Sequence, residues 1–258
     1  KCVTAGHMSV RFKEWCESFG GYQDENIQEF LKLMKELDRS VELVGADDER
    51  AFCYAKVVPV VCLYAGEVDM LERVQEAIMI SQTNPKAIRF GKAAASLLEQ
   101  ILLGKSLKVA MERLVEHTMS STSNFSVDDD SDIGDACLCA LMEAKSKETA
   151  KQLMDETLVP DQDETGGRTA KFPAAFTLPM FLFYKAIAGG DITKQSYVDA
   201  VRSNILAGGD SCCRAIFLGA VLAAAAGDVP ESFVEKFMPK DTLKKVDAAV
   251  AGIVESIG

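Results

Sequence analysis

Apolar residues recur at three- and four-residue spacing along most of this chain, the repeat of a single helix face. Across 24–37, Ile27, Phe30, Leu31, Met34 and Leu37 fall in register with charged residues opposite. The next helix is predicted to begin near Asp47 and Asp48, acids suited to the positive end of a helix, and to run to Gly66. Pro59 falls inside it and should kink or divide it. Helices are further predicted over 68–81, 85–103, 106–119, 137–145 and 149–158. Asn84-Pro85 is a strong start signal, Gly104 a stop, and Ala93, Ala94 and Ala95 are small enough for close helix approach.

The most apolar segment is 172–187, with Phe176, Met180, Phe181, Leu182 and Phe183. Pro179 and Lys185 break it and it is too short to cross a bilayer, so it is expected to be the central core helix. Helices over 197–206, 211–226, 232–238 and 243–257 complete the reading. Residues 120–132 (SSTSNFSVDDDSD) and 160–172 (PDQDETGGRTAKF) are polar or rich in glycine and charge, and read as mobile surface loops. Sustained strand alternation is missing. The fold class is therefore all-α, one globular multi-helix domain over 1–258.

The chain has 258 residues, 48% of them hydrophobic, enough for a large core. Its 39 acids outnumber 28 Lys and Arg, a formal net charge of −11 that disfavours nucleic acid and anionic membrane surfaces as partners. The opening KCVTAGHMSVRFKEWCESF has no apolar signal-peptide core. Most of the eight cysteines, among them Cys53, Cys62, Cys137 and Cys139, sit in apolar helical patterns, which suits reduced thiols and a cytoplasmic location. With only His7 and His117, a histidine triad or multi-histidine metal site is disfavoured.

The sharpest local feature is Gly208-Gly209-Asp210-Ser211-Cys212-Cys213, placed between two predicted helices. The glycines permit a tight turn, and Asp210 stands where a carboxylate either caps a helix or binds a hard cation. Followed by Ala215-Ile216 and Leu218-Gly219-Ala220, this stretch resembles the last motif of the ADP-ribosylglycohydrolase family. Three stretches in the family's order add to the resemblance. They are Val57-Val58-Pro59-Val60-Val61 with Gly66, the run from Ser81-Gln82-Thr83-Asn84-Pro85, and Asp199-Ala200-Val201-Arg202. The resemblance covers roughly 22–240 and is nearest the branch of J-crystallins and selenoprotein J. It implies an all-α fold and, in active members, a two-metal magnesium or manganese site that removes ADP-ribose from acceptors.

Several positions depart from that family pattern. The resemblance places a second Asp and a Thr where this chain has Cys212 and Cys213, and thiols are poor ligands for magnesium. No Thr-Asp-Asp-Thr-like motif occurs in residues 1–46, so the early part of the family fold is not recognisable. Gln82 and Thr83 stand where the family has a Thr-His pair. Asp210 alone matches a metal ligand, and one carboxylate cannot hold two hard cations. The resemblance puts Asp47, Asp48, Gln82, Gly208, Gly209 and Ser211 at the substrate cleft.

Other residues have competing readings. Cys212 and Cys213 are either acidified, reactive thiols beside Arg214 or small packing residues. Asp47-Asp48-Glu49 is either a ligand or acid–base group or a charged helix start. Asp128-Asp129-Asp130 lacks the glycine and terminal glutamate of a calcium loop. Trp15 and Tyr22 could stack a nucleobase or simply pack. The expectation is a non-catalytic, crystallin-like structural protein with a degenerate metal site and no cofactor. The alternatives are a divergent, magnesium-dependent ADP-ribosyl hydrolase, and a helical module that binds an ADP-ribose-like nucleotide or a protein partner without chemistry. Self-association into a homo-oligomer is compatible with each.

Overall fold

The most apolar stretch of the chain becomes the element around which the others pack. A computed structural model describes residues 5–36, 45–118, 131–158, 170–237 and 240–257. In chain order the helices are α1 (Ala5–Ser18), α2 (Glu25–Glu36), α3 (Tyr54–Tyr64), α4 (Met70–Met79), α5 (Pro85–Leu102), α6 (Leu107–Thr118) and α7 (Ser131–Ser146). There follow α8 (Ala150–Leu153) with a π turn at Met154–Leu158, α9 (Ala174–Ala188), α10 (Lys194–Ala207), α11 (Ser211–Ala226), α12 (Glu231–Phe237) and α13 (Lys240–Ile257). Among the described residues no strand forms, and the fold is all-α.

Every residue of α9 from 174 through 183 is buried. Two rings of that run, Phe176 and Phe183, meet Phe217 of α11 at centroid separations of 5.7 and 5.5 Å. Phe217 also lies 5.0 Å from the ring of Tyr54 on α3. Phe90 of α5 stacks on Phe172 at 4.7 Å and meets Phe176 at 5.2 Å. One aromatic cluster therefore joins α3, α5, α9 and α11, with offset and edge contacts that add to plain area burial. Small residues bring α5 close to its neighbours. A Cβ at Gly91 would collide with Ile78 Cδ1 and sit 3.5 Å from Cys53 Sγ. The hairpin of α1 and α2 has a separate small cluster of Phe12, Phe30 and Met34.

The local signals explain the boundaries. Asn84 caps α5 through its side-chain oxygen, which accepts from the amides of Lys86 and Ala87 at 2.9 and 3.3 Å, with Pro85 in the first turn. Thr149 and Thr193 form capping boxes with Gln152 and Ser196. Pro59 lies inside α3 without dividing it. Among the described residues no helix is long and apolar enough to cross a membrane.

Four expectations are corrected. Helix α1 occupies a stretch for which no helix was predicted. The helix expected from Asp47 begins later, with a 3-10 turn at Ala51–Cys53 leading into α3, because Asp48 bonds Arg50 instead of capping the helix. Helix α7 starts at Ser131, so Ser131 and Asp132 are helical and not part of a loop. In the second expected loop, Ala170 and Phe172 are buried and Lys171 bridges to Arg50. The remainder of both loop predictions, 120–130 and 160–169, lies outside the described residues.

The aromatic cluster predicts an asymmetric response to mutation. Phe217→Ala should cost about 3–5 kcal/mol in urea denaturation, whereas Val68→Ser, at a fully exposed position, should change stability by less than about 0.5 kcal/mol.

Candidate functional site

Two segments carry the residues that the sequence singles out. The first is the extended stretch 45–50, which lies against the turn before α5. Gly45 is buried there, and a Cβ on it would stand 2.5 Å from the backbone nitrogen of Gln82, so only glycine permits this approach. The amide of Ala46 donates to the Ser81 carbonyl at 2.9 Å and the amide of Thr83 donates to the Ala46 carbonyl at 2.9 Å. Gln82 is fully buried, and its side-chain amide donates to the carbonyls of Asp48 and Arg50 at 3.0 and 2.8 Å. It thus acts as a clasp between α5 and the loop.

The acids of this loop are all engaged. Asp48 accepts from the Arg50 amide at 2.9 Å and is gripped by the Arg50 guanidinium, with Nη2 at 2.7 Å and Nε at 2.9 Å. That forked pairing is among the stronger ion pairs, and it holds the Arg50 pKa above its usual value. Asp47 is exposed and accepts from Asn84 Nδ2 at 2.7 Å. Glu49 bridges Lys171 at 3.0 Å and Lys86 at 3.3 Å. Bonding to Lys171 is the largest effect and holds its carboxyl below the usual glutamate range; desolvation opposes it, and the bond to Lys86 adds to the lowering.

The second segment is the turn between α10 and α11. Gly208 and Gly209 both take positive φ, 79° and 62°, the left-handed region that glycine enters without strain. Asp210 then caps α11, its carboxylate accepting from the Cys213 amide at 3.2 Å. Behind this turn lies a fully buried arginine. Arg214 Nε donates to Asn204 Oδ1 at 2.9 Å, and Nη2 donates to the carbonyls of Asn204 and Gly208. Asn204, itself fully buried, returns a bond from Nδ2 to the Ser211 carbonyl at 2.9 Å. Burial pulls the guanidinium pKa down, and Asp210 opposes that shift.

The two segments approach one another through α3 and α11. Tyr54 packs on Phe217, and its phenol is pushed well above its ordinary range by burial, with Cys53 and Cys213 adding to the effect. Cys53 is pushed up to about 12, chiefly by burial. Cys213 is buried and its thiol is raised, first by burial and then by Asp210, so it is a packing residue, not a reactive thiolate. Cys212 is exposed, contrary to a packing role for both. Ser211 is half-buried at the first helical position.

The donor set does not fit two hard divalent cations. Asp210 is committed to the helix amide, the side chains two and three positions on are the thiols of Cys212 and Cys213, and Asp48 is held by Arg50. Among the described residues no three His, Cys, Asp or Glu side chains converge on a point able to hold a metal. Elsewhere, Trp15 stacks on Phe12 and Phe19, and Tyr22 is exposed. Asp128-Asp129-Asp130 and the side chain of His7 lie outside the described residues.

Sequence reasoning missed the Arg214–Asn204 pair and the clasp role of Gln82. The signal for the first is plain afterwards: Arg214 is the one charge in the sixteen-residue apolar run of α11. Replacing it with Met leaves Asn204 Oδ1 and the Gly208 carbonyl short of a donor, and Arg214→Met should cost about 2–4 kcal/mol in urea denaturation. Glu49 predicts an acid-side effect. Its folded pKa is depressed, so its stabilising contribution is complete above the usual glutamate value of about 4.3 and is lost as pH falls through the lower folded value. Glu49→Gln should be less stable than the parent at neutral pH, with the gap closing in acid, read by melting temperature against pH.

The comparisons with known proteins agree with this architecture. The family description "ADP-ribosylglycohydrolase" matches residues 4–256, beyond both ends of the stretch that the motifs covered. Crystallin J1A of Tripedalia cystophora is 22% identical over 220 residues. That alignment takes in 84% of this chain but 58% of the relative, so the chain spans less than two thirds of the relative's length. A match over nearly the whole chain, on an all-α fold with Gly208-Gly209-Asp210 at a helix start, places this protein in the ADP-ribosylglycohydrolase family.

Proposed function

We propose that this chain keeps the family fold without its metal-assisted chemistry and serves a structural, crystallin-like role. The observation that carries this reading is the start of α11, where one carboxylate caps the helix and two thiols follow it. A two-metal hydrolase needs several oxygen donors on converging side chains to hold its ions and orient water. Here Asp210 and Asp48 already serve the fold as a cap and an ion-pair partner. The Cys213 thiol, raised by burial, adds nothing in their place, because only the thiolate ligates well and sulfur is a soft donor for magnesium.

Two further observations support a structural role. The net charge of −11 keeps like molecules apart and favours solubility at high concentration. The similar protein from Tripedalia cystophora is named a crystallin. The test is direct. Calorimetric titration with magnesium and with manganese should show no saturable binding at millimolar ion. Incubation with arginine- or serine-linked ADP-ribosyl peptides should release no ADP-ribose above buffer. Saturable metal binding together with turnover would overturn the proposal.

A further inference from the structure

Between α5, α6 and the start of α4 lies a cavity of about 470 Å³ that the family site does not use. That volume falls within the range of about 300–1,000 Å³ typical of small-molecule pockets. Its lining residues on α5, Ser96 and Gln100, stand 11 and 15 residues beyond Pro85, at the opposite end of the helix from the Gln82 clasp. At 1.5 Å per residue the separation is roughly 17–22 Å.

The lining joins apolar side chains to polar and charged ones. Leu71, Ala110 and Leu114 supply an apolar floor, and Ala110 and Leu114 are nearly fully buried. Arg113 and His117 follow one another at a spacing of four on the same face of α6, about 6 Å apart along the axis. The Arg113 guanidinium is held over the cavity by its Nη1 bond to Gln100 Oε1 at 3.0 Å. A guanidinium has five N–H donors, and that bond uses one. Glu116 also lines the hollow, and its carboxylate opposes a dianion more than a monoanion.

We propose that this cavity binds a small organic monoanion, a carboxylate on a flat or branched apolar body. The carboxylate pairs with Arg113 in the forked geometry that guanidinium favours. The apolar body rests on Leu71 and Leu114, and the Ser96 hydroxyl faces its edge. In a chain of net charge −11, a guanidinium set beside an apolar floor favours an anion against the prevailing field. This binding is independent of whether glycohydrolase chemistry survives at the other end of α5.

Isothermal titration of the 258-residue chain with 2-naphthoate tests the assignment, with neutral 2-naphthamide and cationic 2-naphthylmethylamine as controls. Naphthoate should bind at one site with a Kd below about 1 mM, and the two controls roughly tenfold or more weaker. Arg113→Gln, at an exposed position, should weaken naphthoate at least tenfold with melting temperature unchanged. Ser96→Trp should block binding by filling the hollow without altering charge. No saturable heat with naphthoate, equal binding of the amide or the amine, or unchanged affinity in Arg113→Gln would overturn the proposal.

Discussion

A guanidinium buried in the first turn of an apolar helix must be met by fixed dipoles, and this one constraint organises the turn between α10 and α11. Desolvating a charge is costly unless every donor is matched to an acceptor. Arg214 meets that demand with Asn204 Oδ1 and the carbonyls of Asn204 and Gly208. The Gly208 carbonyl reaches the guanidinium because Gly208 and Gly209 both take positive φ. The same turn then delivers Asp210 to the first amides of α11. Cys213 follows onto the buried side and Cys212 onto the exposed side. The geometry of every residue singled out in this motif thus descends from one buried charge.

The segment 45–50 is ordered by an uncharged group doing a comparable job. Gln82 lies where the family resemblance places a Thr-His pair, and its amide donates to two carbonyls of the loop that holds Asp47, Asp48 and Glu49. A neutral amide costs less to bury than a charge and stays a donor at any pH. The loop it clasps is further tied by Glu49 to Lys86 and Lys171, one on α5 and one just before α9. Three elements that are distant in sequence are joined there by side chains, with only two isolated bridges of backbone pairing among the described residues.

These facts explain how far the sequence could be read. The helices with one apolar stripe were legible, because period and burial follow from the same geometry, and 211–226 matches α11 to the residue. Segment 172–187 was legible as the core for a different reason, its lack of any polar face. Helix α1 was not legible, since Met8, Val10 and Trp15 stay exposed and no clear stripe forms. The start of α3 was misplaced because acids before a helix resemble caps, whereas Asp48 turns locally to Arg50, two residues on. Of the candidate site, Gly208, Gly209 and Asp210 were readable from turn chemistry. The structural roles of Arg214 and Gln82 were not, because most of their partners are backbone carbonyls, which carry no residue signature.

The kinship of Asp210 to a metal ligand invites a functional reading that its local bonding does not require. A carboxylate at a helix N-cap contributes about 1 kcal/mol by accepting an otherwise orphaned amide, and the helix dipole favours its charge. Asp210 makes that bond to Cys213 and lowers the cost of the buried Arg214 nearby. Both contributions are complete without any ion. An aspartate with two structural duties can therefore stand in this motif irrespective of catalysis, whereas a second acid at the position of Cys212, exposed and without a capping duty, would have had only a metal to serve. The informative position in the Gly-Gly-Asp-Ser-Cys-Cys run is for this reason the first cysteine, not the aspartate that matches.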